Sequence, residues 1–129
     1  MSKSKLEIID ETVKYYSNNP RSISSGNCYH YYQEGENGPE FCAFGRCCTE
    51  DNAKILESKG AYISLICSSD SNHRPSVDTF LKPEYHGHNL EFWEDIQDLH
   101  DSHGYWERDK VLSALGKSRV KQLKERYAE

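Results

Sequence analysis

Apolar residues recur at helical spacing near both ends of the chain and crowd together in its middle. From Lys3 to Asn18, within an N-terminal segment 1–18, Leu6, Ile9, Val13 and Tyr16 trace one face of an amphipathic helix. Asn18-Asn19-Pro20 stops it, and Arg21 to Gly26 reads as a polar loop. Thr49 is the expected N-cap of a second helix, with Glu50 and Asp51 in its first turn, Ala53 and Leu56 inward, and Gly60 beyond its end. Ala61 to Cys67 is the most apolar run and suits a buried strand, with a short helix as the alternative; Ser68 to Ser76 follows as a mobile loop. Val77 to Leu81 allows one helical turn, closed by Lys82-Pro83.

Asn89 caps the clearest helix. Trp93, Ile96, Leu99 or His100, and His103 share its stripe, Glu91, Glu94, Asp95 and Asp98 cover much of the opposite side, and Gly104 ends it. The last helix starts near Arg108 or Ser113 and runs to Tyr127. Val120, Leu123 and Tyr127 face inward, and Lys117, Arg119, Lys121, Lys124 and Arg126 face water. Gly116 lies inside it and should weaken it by about 1 kcal/mol relative to Ala. The acidic and basic helices are expected to lie antiparallel with favourable charge pairing.

The stretch Cys28 to Cys48 holds four of the five cysteines and five aromatic residues. Gly35-Glu36-Asn37-Gly38 is a turn signal between a Tyr-rich segment and Phe41-Cys42-Ala43-Phe44, so a β-hairpin is expected. Two readings of Cys42 compete. If the second strand continues, alternation places Tyr29, Tyr31, Cys42 and Phe44 on one face. If a helix begins there instead, the small residues Ala43, Gly45 and Cys47 allow close packing, and the helix dipole lowers the pKa of the leading thiol.

Composition narrows the class. With 129 residues the chain is expected to form a single domain, 1–129. The apolar fraction is 36% and nine residues are Tyr, which predicts a small core rimmed by phenols. A net charge of −5 argues against general nucleic-acid binding. No run reaches the roughly 20 apolar residues of a membrane span. The opening MSKSKLEIID has no signal-peptide core, so a cytoplasmic protein with free thiols is expected.

Four sets of residues offer chemistry. Cys42 as nucleophile with His100 as base would make a thiol enzyme, with Asp101 or Gln97 orienting. His100 and Asp101 diverge by about 100° on a helix, so Asp101 orients its neighbour poorly. Metal-ligand spacing is met loosely by Cys42 and Cys47 with His86 and His88, or by His100 and His103. No CxxC pair occurs, and no metal or cofactor is assigned. Tyr29, Tyr31 and Tyr32 suit a ligand pocket or interface, and Arg46 beside them can neutralise a phosphate or carboxylate, or pair with Glu34 or Glu40. The basic C-terminal helix reads as a solvated face.

Three pieces in order carry a resemblance: Cys28-Tyr29-His30-Tyr31-Tyr32, then Cys42-Ala43-Phe44-Gly45-Arg46-Cys47, then Phe92-Trp93-Glu94-Asp95-Ile96-Gln97-Asp98-Leu99-His100-Asp101. Together they resemble small uncharacterised tailed-bacteriophage proteins with a C…C-A-x-G core and a helix ending L-Q-x-x-H-D. Ile96 replaces the Leu of that pattern, and the cysteine after Arg46 is doubled as Cys47-Cys48. The resemblance implies a phage accessory protein in the host bacterial cytoplasm, which binds a host protein or small host-derived ligand in host takeover or defence evasion.

The expectation is therefore a single α+β domain, with a Tyr- and Cys-rich hairpin packed against three or four helices. Tyr31, Arg46, His100 and Asp101 are its ligand-facing residues. A Cys42–His100 hydrolase or transferase and a zinc-stabilised interaction module are the alternatives, and a homodimer through the two charged helices is compatible with each.

Overall fold

Ser4 and Glu7 exchange hydrogen bonds in the computed structural model, which describes residues 3–18, 31–35, 38–59, 76–101, 103–108 and 111–128. Ser4 Oγ accepts from the Glu7 amide at 3.1 Å and Glu7 Oε1 accepts from the Ser4 amide at 3.0 Å, a reciprocal cap on helix α1 (Lys5–Asn18). Its buried face is Ile8, Ile9, Thr12 and Tyr16. The expected stripe began at Leu6, which is 37% exposed; with three apolar residues within four positions, the helix turns Ile8 inward instead.

Strands β1 (Gln33–Gly35) and β2 (Gly38–Glu40) form the expected antiparallel hairpin. Gln33 faces Glu40, Glu34 faces Pro39 and Gly35 faces Gly38, which brackets a two-residue connection. The hairpin is shorter than expected: Tyr31 and Tyr32 precede it, and Ala43 already opens helix α2 (Ala43–Arg46). Of the two readings of Cys42, the strand-to-helix one holds, and the strand face shared by Tyr31 and Phe44 does not exist. Cys42 is the N-cap, in extended conformation, and its Sγ accepts from the Gly45 amide at 3.3 Å. Gly45 is required for this packing, because a Cβ there would lie 2.2 Å from the Tyr31 carbonyl oxygen.

Helix α3 (Glu50–Lys59) starts where expected, with Thr49 Oγ1 accepting from the Asn52 amide at 3.2 Å and Ala53 and Leu56 buried. Val77–Thr79 forms one 3-10 turn. Pro83 opens a second, Pro83–Tyr85, rather than only closing the first. A bridge between Cys48 and Leu81, with the Lys82 amide donating to the Cys47 carbonyl at 3.0 Å, ties these turns to the end of α2.

Asn89 caps helix α4 (Leu90–Asp101) through a 3.0 Å bond from the Phe92 amide to Oδ1. Phe92, Trp93, Ile96, Leu99 and His100 are its buried face. The helix stops at Asp101, and Gly104 lies within a following 3-10 turn, His103–Tyr105. A second hairpin follows, β3 (Trp106–Arg108) with β4 (Val111–Leu112), which the hydrophobic pattern did not predict.

Ser113 caps helix α5 (Ala114–Tyr127), accepting from the Gly116 amide at 3.0 Å and donating to the Gly104 carbonyl at 2.6 Å. Gly116 is not a flaw in this helix: a Cβ there would sit 2.1 Å from the Tyr105 carbonyl oxygen. Arg126 pairs with Glu91 at 2.6 Å and Asp95 at 3.1 Å, and Arg119 reaches Asp95 at 3.4 Å, so α4 and α5 meet with opposite chain sense. Arg119, expected in water, is half-buried in this seam.

The result is an α+β body, mostly helical, whose core runs from Ile8, Ile9 and Tyr16 on α1 through Phe44 on α2 to Trp93, Ile96 and Leu99 on α4. Phe44 and Trp93 meet edge to face at 5.4 Å, and the Trp106 indole donates to the Leu99 carbonyl at 2.9 Å. No described helix is long and apolar enough to cross a membrane. The expected loop at Arg21–Gly26, Asn37 of the turn, Gly60, the Ala61–Cys67 strand and residues 68–75 of the mobile loop lie outside the described residues. So do Cys28, Tyr29 and His30.

Candidate functional site

Arg46 ends α2 and turns its side chain back toward α1. Nη1 donates to Glu11 Oε1 at 2.6 Å and to the Tyr85 hydroxyl at 3.3 Å. The Tyr85 hydroxyl in turn donates to Glu11 Oε1, and Lys3 Nζ holds Glu11 Oε2 at 2.8 Å. The guanidinium carbon lies 5.2 Å from the Tyr15 ring centroid and 5.8 Å from that of Tyr85, within cation–π range of both. The Arg46 side chain is 9% exposed. Its Nε and Nη2 are closed off from solvent and have no hydrogen-bond partner among the described residues.

The charges of this cluster are mutually fixed. Partial burial favours the neutral form of Glu11, but donors from Lys3, Tyr85 and Arg46 outweigh it and hold the carboxyl at about 2. Burial opposes the charge on Arg46, yet the surrounding anion and polar groups raise its pKa above the usual guanidinium value. Burial pushes the neighbouring Cys47 thiol up to about 12, against the pull of Arg46, so it is a neutral thiol at physiological pH. Burial and the bond to Glu11 also raise the Tyr85 phenol.

The thiol and imidazole singled out in the sequence lie deeper. Cys42 is 1% exposed and His100 is fully buried. Tyr16 links their neighbourhoods: its hydroxyl donates to the Phe41 carbonyl at 2.6 Å, and its ring meets the His100 ring edge-on at 4.9 Å. Burial raises the Tyr16 phenol well above its usual value, reinforced by the nearby Cys42 thiol. Gln97 binds the Phe44 amide through Oε1 at 3.1 Å, so it braces α2 against α4. Tyr31 is buried, with its amide donating to Glu57 Oε1 at 2.8 Å. Asp101 is the last residue of α4; its side chain, like that of His103, lies outside the described set.

Tyr31, Cys42 and Arg46 thus gather around α2, while His100 sits across Tyr16. Arg46 pairs with Glu11 on α1, and the side chains of Glu34 and Glu40 lie outside the described set. Glu11, Lys3, Tyr15 and Tyr85 were missed as a group. One signal was legible: Glu11 follows Ile8 by three positions, which puts an acid on the margin of the buried face. Among the described residues no three His, Cys, Asp or Glu side chains form a metal-binding group, and Nε2 of His86 and of His88 reaches a backbone carbonyl, of Leu81 at 2.9 Å and Lys3 at 2.8 Å.

No family model matches the chain, and no curated protein or solved structure matches it significantly.

Proposed function

We propose that the chain is a phage-type accessory protein of the host bacterial cytoplasm that binds a host protein or a small host-derived ligand. The observation that carries this reading is the Arg46 guanidinium: buried, held in place by Glu11, flanked by two phenol rings, with two N–H donors left for an acceptor. Preorganised donors on a rigid element are what recognition of an acidic group needs. The resemblance of the Cys28–Asp101 stretch to small phage proteins supplies the setting.

Burial of the described thiols favours binding over nucleophilic catalysis. Cys47 is held as a neutral thiol, and Cys42 spends its sulfur as a cap acceptor. The enzyme reading retains one supporting observation, that Cys42 heads a helix and receives a backbone N–H. Cys42→Ser separates the two, since a binder keeps its biological effect and an enzyme loses it.

Affinity capture from bacterial lysate, with mass spectrometry of both proteins and small molecules, tests the binding reading. Recovery of one species that rebinds the purified chain is the expected result. Recovery of no protein and no small molecule would remove it.

A further inference from the structure

Arg46 is short of acceptors. Among the described residues only Nη1 is engaged, by Glu11 at 2.6 Å and by Tyr85 at 3.3 Å. The idle nitrogens, Nε and Nη2, belong to the same edge of the planar group. Their two N–H bonds run side by side, at the spacing that meets two oxygens of one carboxylate or phosphate. A buried donor without an acceptor costs the full loss of its hydration, so two on one charged group call for an explanation.

Charge tells the same story. Glu11 is shared between Arg46 and Lys3, one carboxylate for two cations. Lys3 stands at the rim, where Glu7 and Glu84 also act on it. Arg46 stands inside, beside a thiol and a phenol that stay neutral at physiological pH. The guanidinium is therefore held in its charged form while its Nε–Nη2 edge still lacks an acceptor among the described residues. A further buried donor without a partner, Trp93 Nε1, belongs to a ring that packs on Tyr85 at 6.3 Å. Among the described residues the neighbourhood has donors to spare.

We propose that the Nε–Nη2 edge of Arg46 is the seat of a small oxyanion, a carboxylate or phosphate group, bound side-on between the Tyr15 and Tyr85 rings. This rests on the reading that the chain holds a ligand, and names that ligand's chemistry. Because the edge is closed to solvent, the anion enters when a covering side chain moves. Tyr15 is half-buried and Tyr85 is buried, so of the two rings beside the guanidinium Tyr15 lies nearer the surface.

The test uses the intact wild-type chain. Proton–nitrogen NMR follows the arginine Nε–H signals during titration with sodium acetate in one arm and sodium phosphate in another, at constant ionic strength set with sodium chloride. Arg46→Lys identifies the signal by its loss, and sequential assignment does so if that variant does not fold. The expected result is a saturable shift of the Arg46 signal with a dissociation constant below about 1 mM in at least one arm. Response to phosphate alone assigns a phosphate ester, and response to acetate alone a carboxylate. No saturable shift in either arm, or the same shift with chloride, overturns the proposal. If lysate capture still recovers a partner that rebinds, the oxyanion site falls and the binding reading stands.

Discussion

Tyr16 donates its hydroxyl to the Phe41 carbonyl at 2.6 Å, which pins the last turn of α1 to the residue just before the Cys42 cap. The ring is fully buried and rests against His100. The contact joins segments 25 residues apart and orients the start of α2.

Tyr16→Phe keeps the ring and removes the donor, leaving the Phe41 carbonyl without this bond. The expected loss of stability is about 1–3 kcal/mol. Urea unfolding measures it, and an unchanged midpoint would show that the carbonyl finds another donor at no cost.

Glu11 predicts a pH dependence. Its carboxyl lies at about 2 in the folded chain against 4.5 ordinarily. The unfolded chain therefore takes up this proton first as pH falls. Glu11 contributes its full stabilisation above about 4.5, and that contribution disappears toward about 2. Its side chain is 28% exposed, so solvent screens part of the effect. Glu11→Gln should be less stable than wild type at neutral pH, and the gap should narrow through this acid window. Parallel stability curves across the window would show that the Lys3, Arg46 and Tyr85 contacts do not hold the carboxylate.

Two glycines should defy helix propensity. Alanine normally gains about 1 kcal/mol over glycine inside a helix. At Gly45 and Gly116 the added Cβ would meet the Tyr31 and Tyr105 carbonyl oxygens at 2.2 and 2.1 Å, and backbone does not yield as a flexible side chain does. Each alanine variant should instead lose about 1–3 kcal/mol. Thermal melts decide it, and a raised melting temperature for Gly116→Ala would contradict the close packing of α5 on the turn before β3.

Helix starts were legible because they are local. Thr49 and Asn89 each bind an amide three residues on, as expected, and Ser113 does the same, settling the start of the last helix that was left between Arg108 and Ser113. The choice between two fates for Cys42 was not local. It turned on the approach of the Tyr31 carbonyl to Gly45, a contact between segments that composition does not reveal. Arg46 was marked as a candidate, but its partner lies 35 residues away on another helix, while Glu34 and Glu40 were nearer in sequence. The Trp106–Leu112 hairpin escaped because its strands are short and its register is irregular between Trp106 and Arg108, so no alternation develops. Burial of His100 was half-visible: the expected stripe offered Leu99 or His100 and ran on to His103, whereas Leu99 and His100 are both buried, the helix ends at Asp101, and the Tyr16 ring against His100 comes from α1.

The proposed recognition through Arg46 and its charge partners leaves the described thiols as core. Cys42, Cys47 and Cys48 are 1%, 0% and 2% exposed, and reaction with an alkylating agent needs an accessible thiolate. Iodoacetamide treatment of the folded chain, read by peptide mass spectrometry, tests this directly. Cys42, Cys47 and Cys48 are expected to stay unmodified until urea unfolds the protein and then to react together. Rapid modification of Cys42 in the folded chain would contradict this and favour the nucleophile reading.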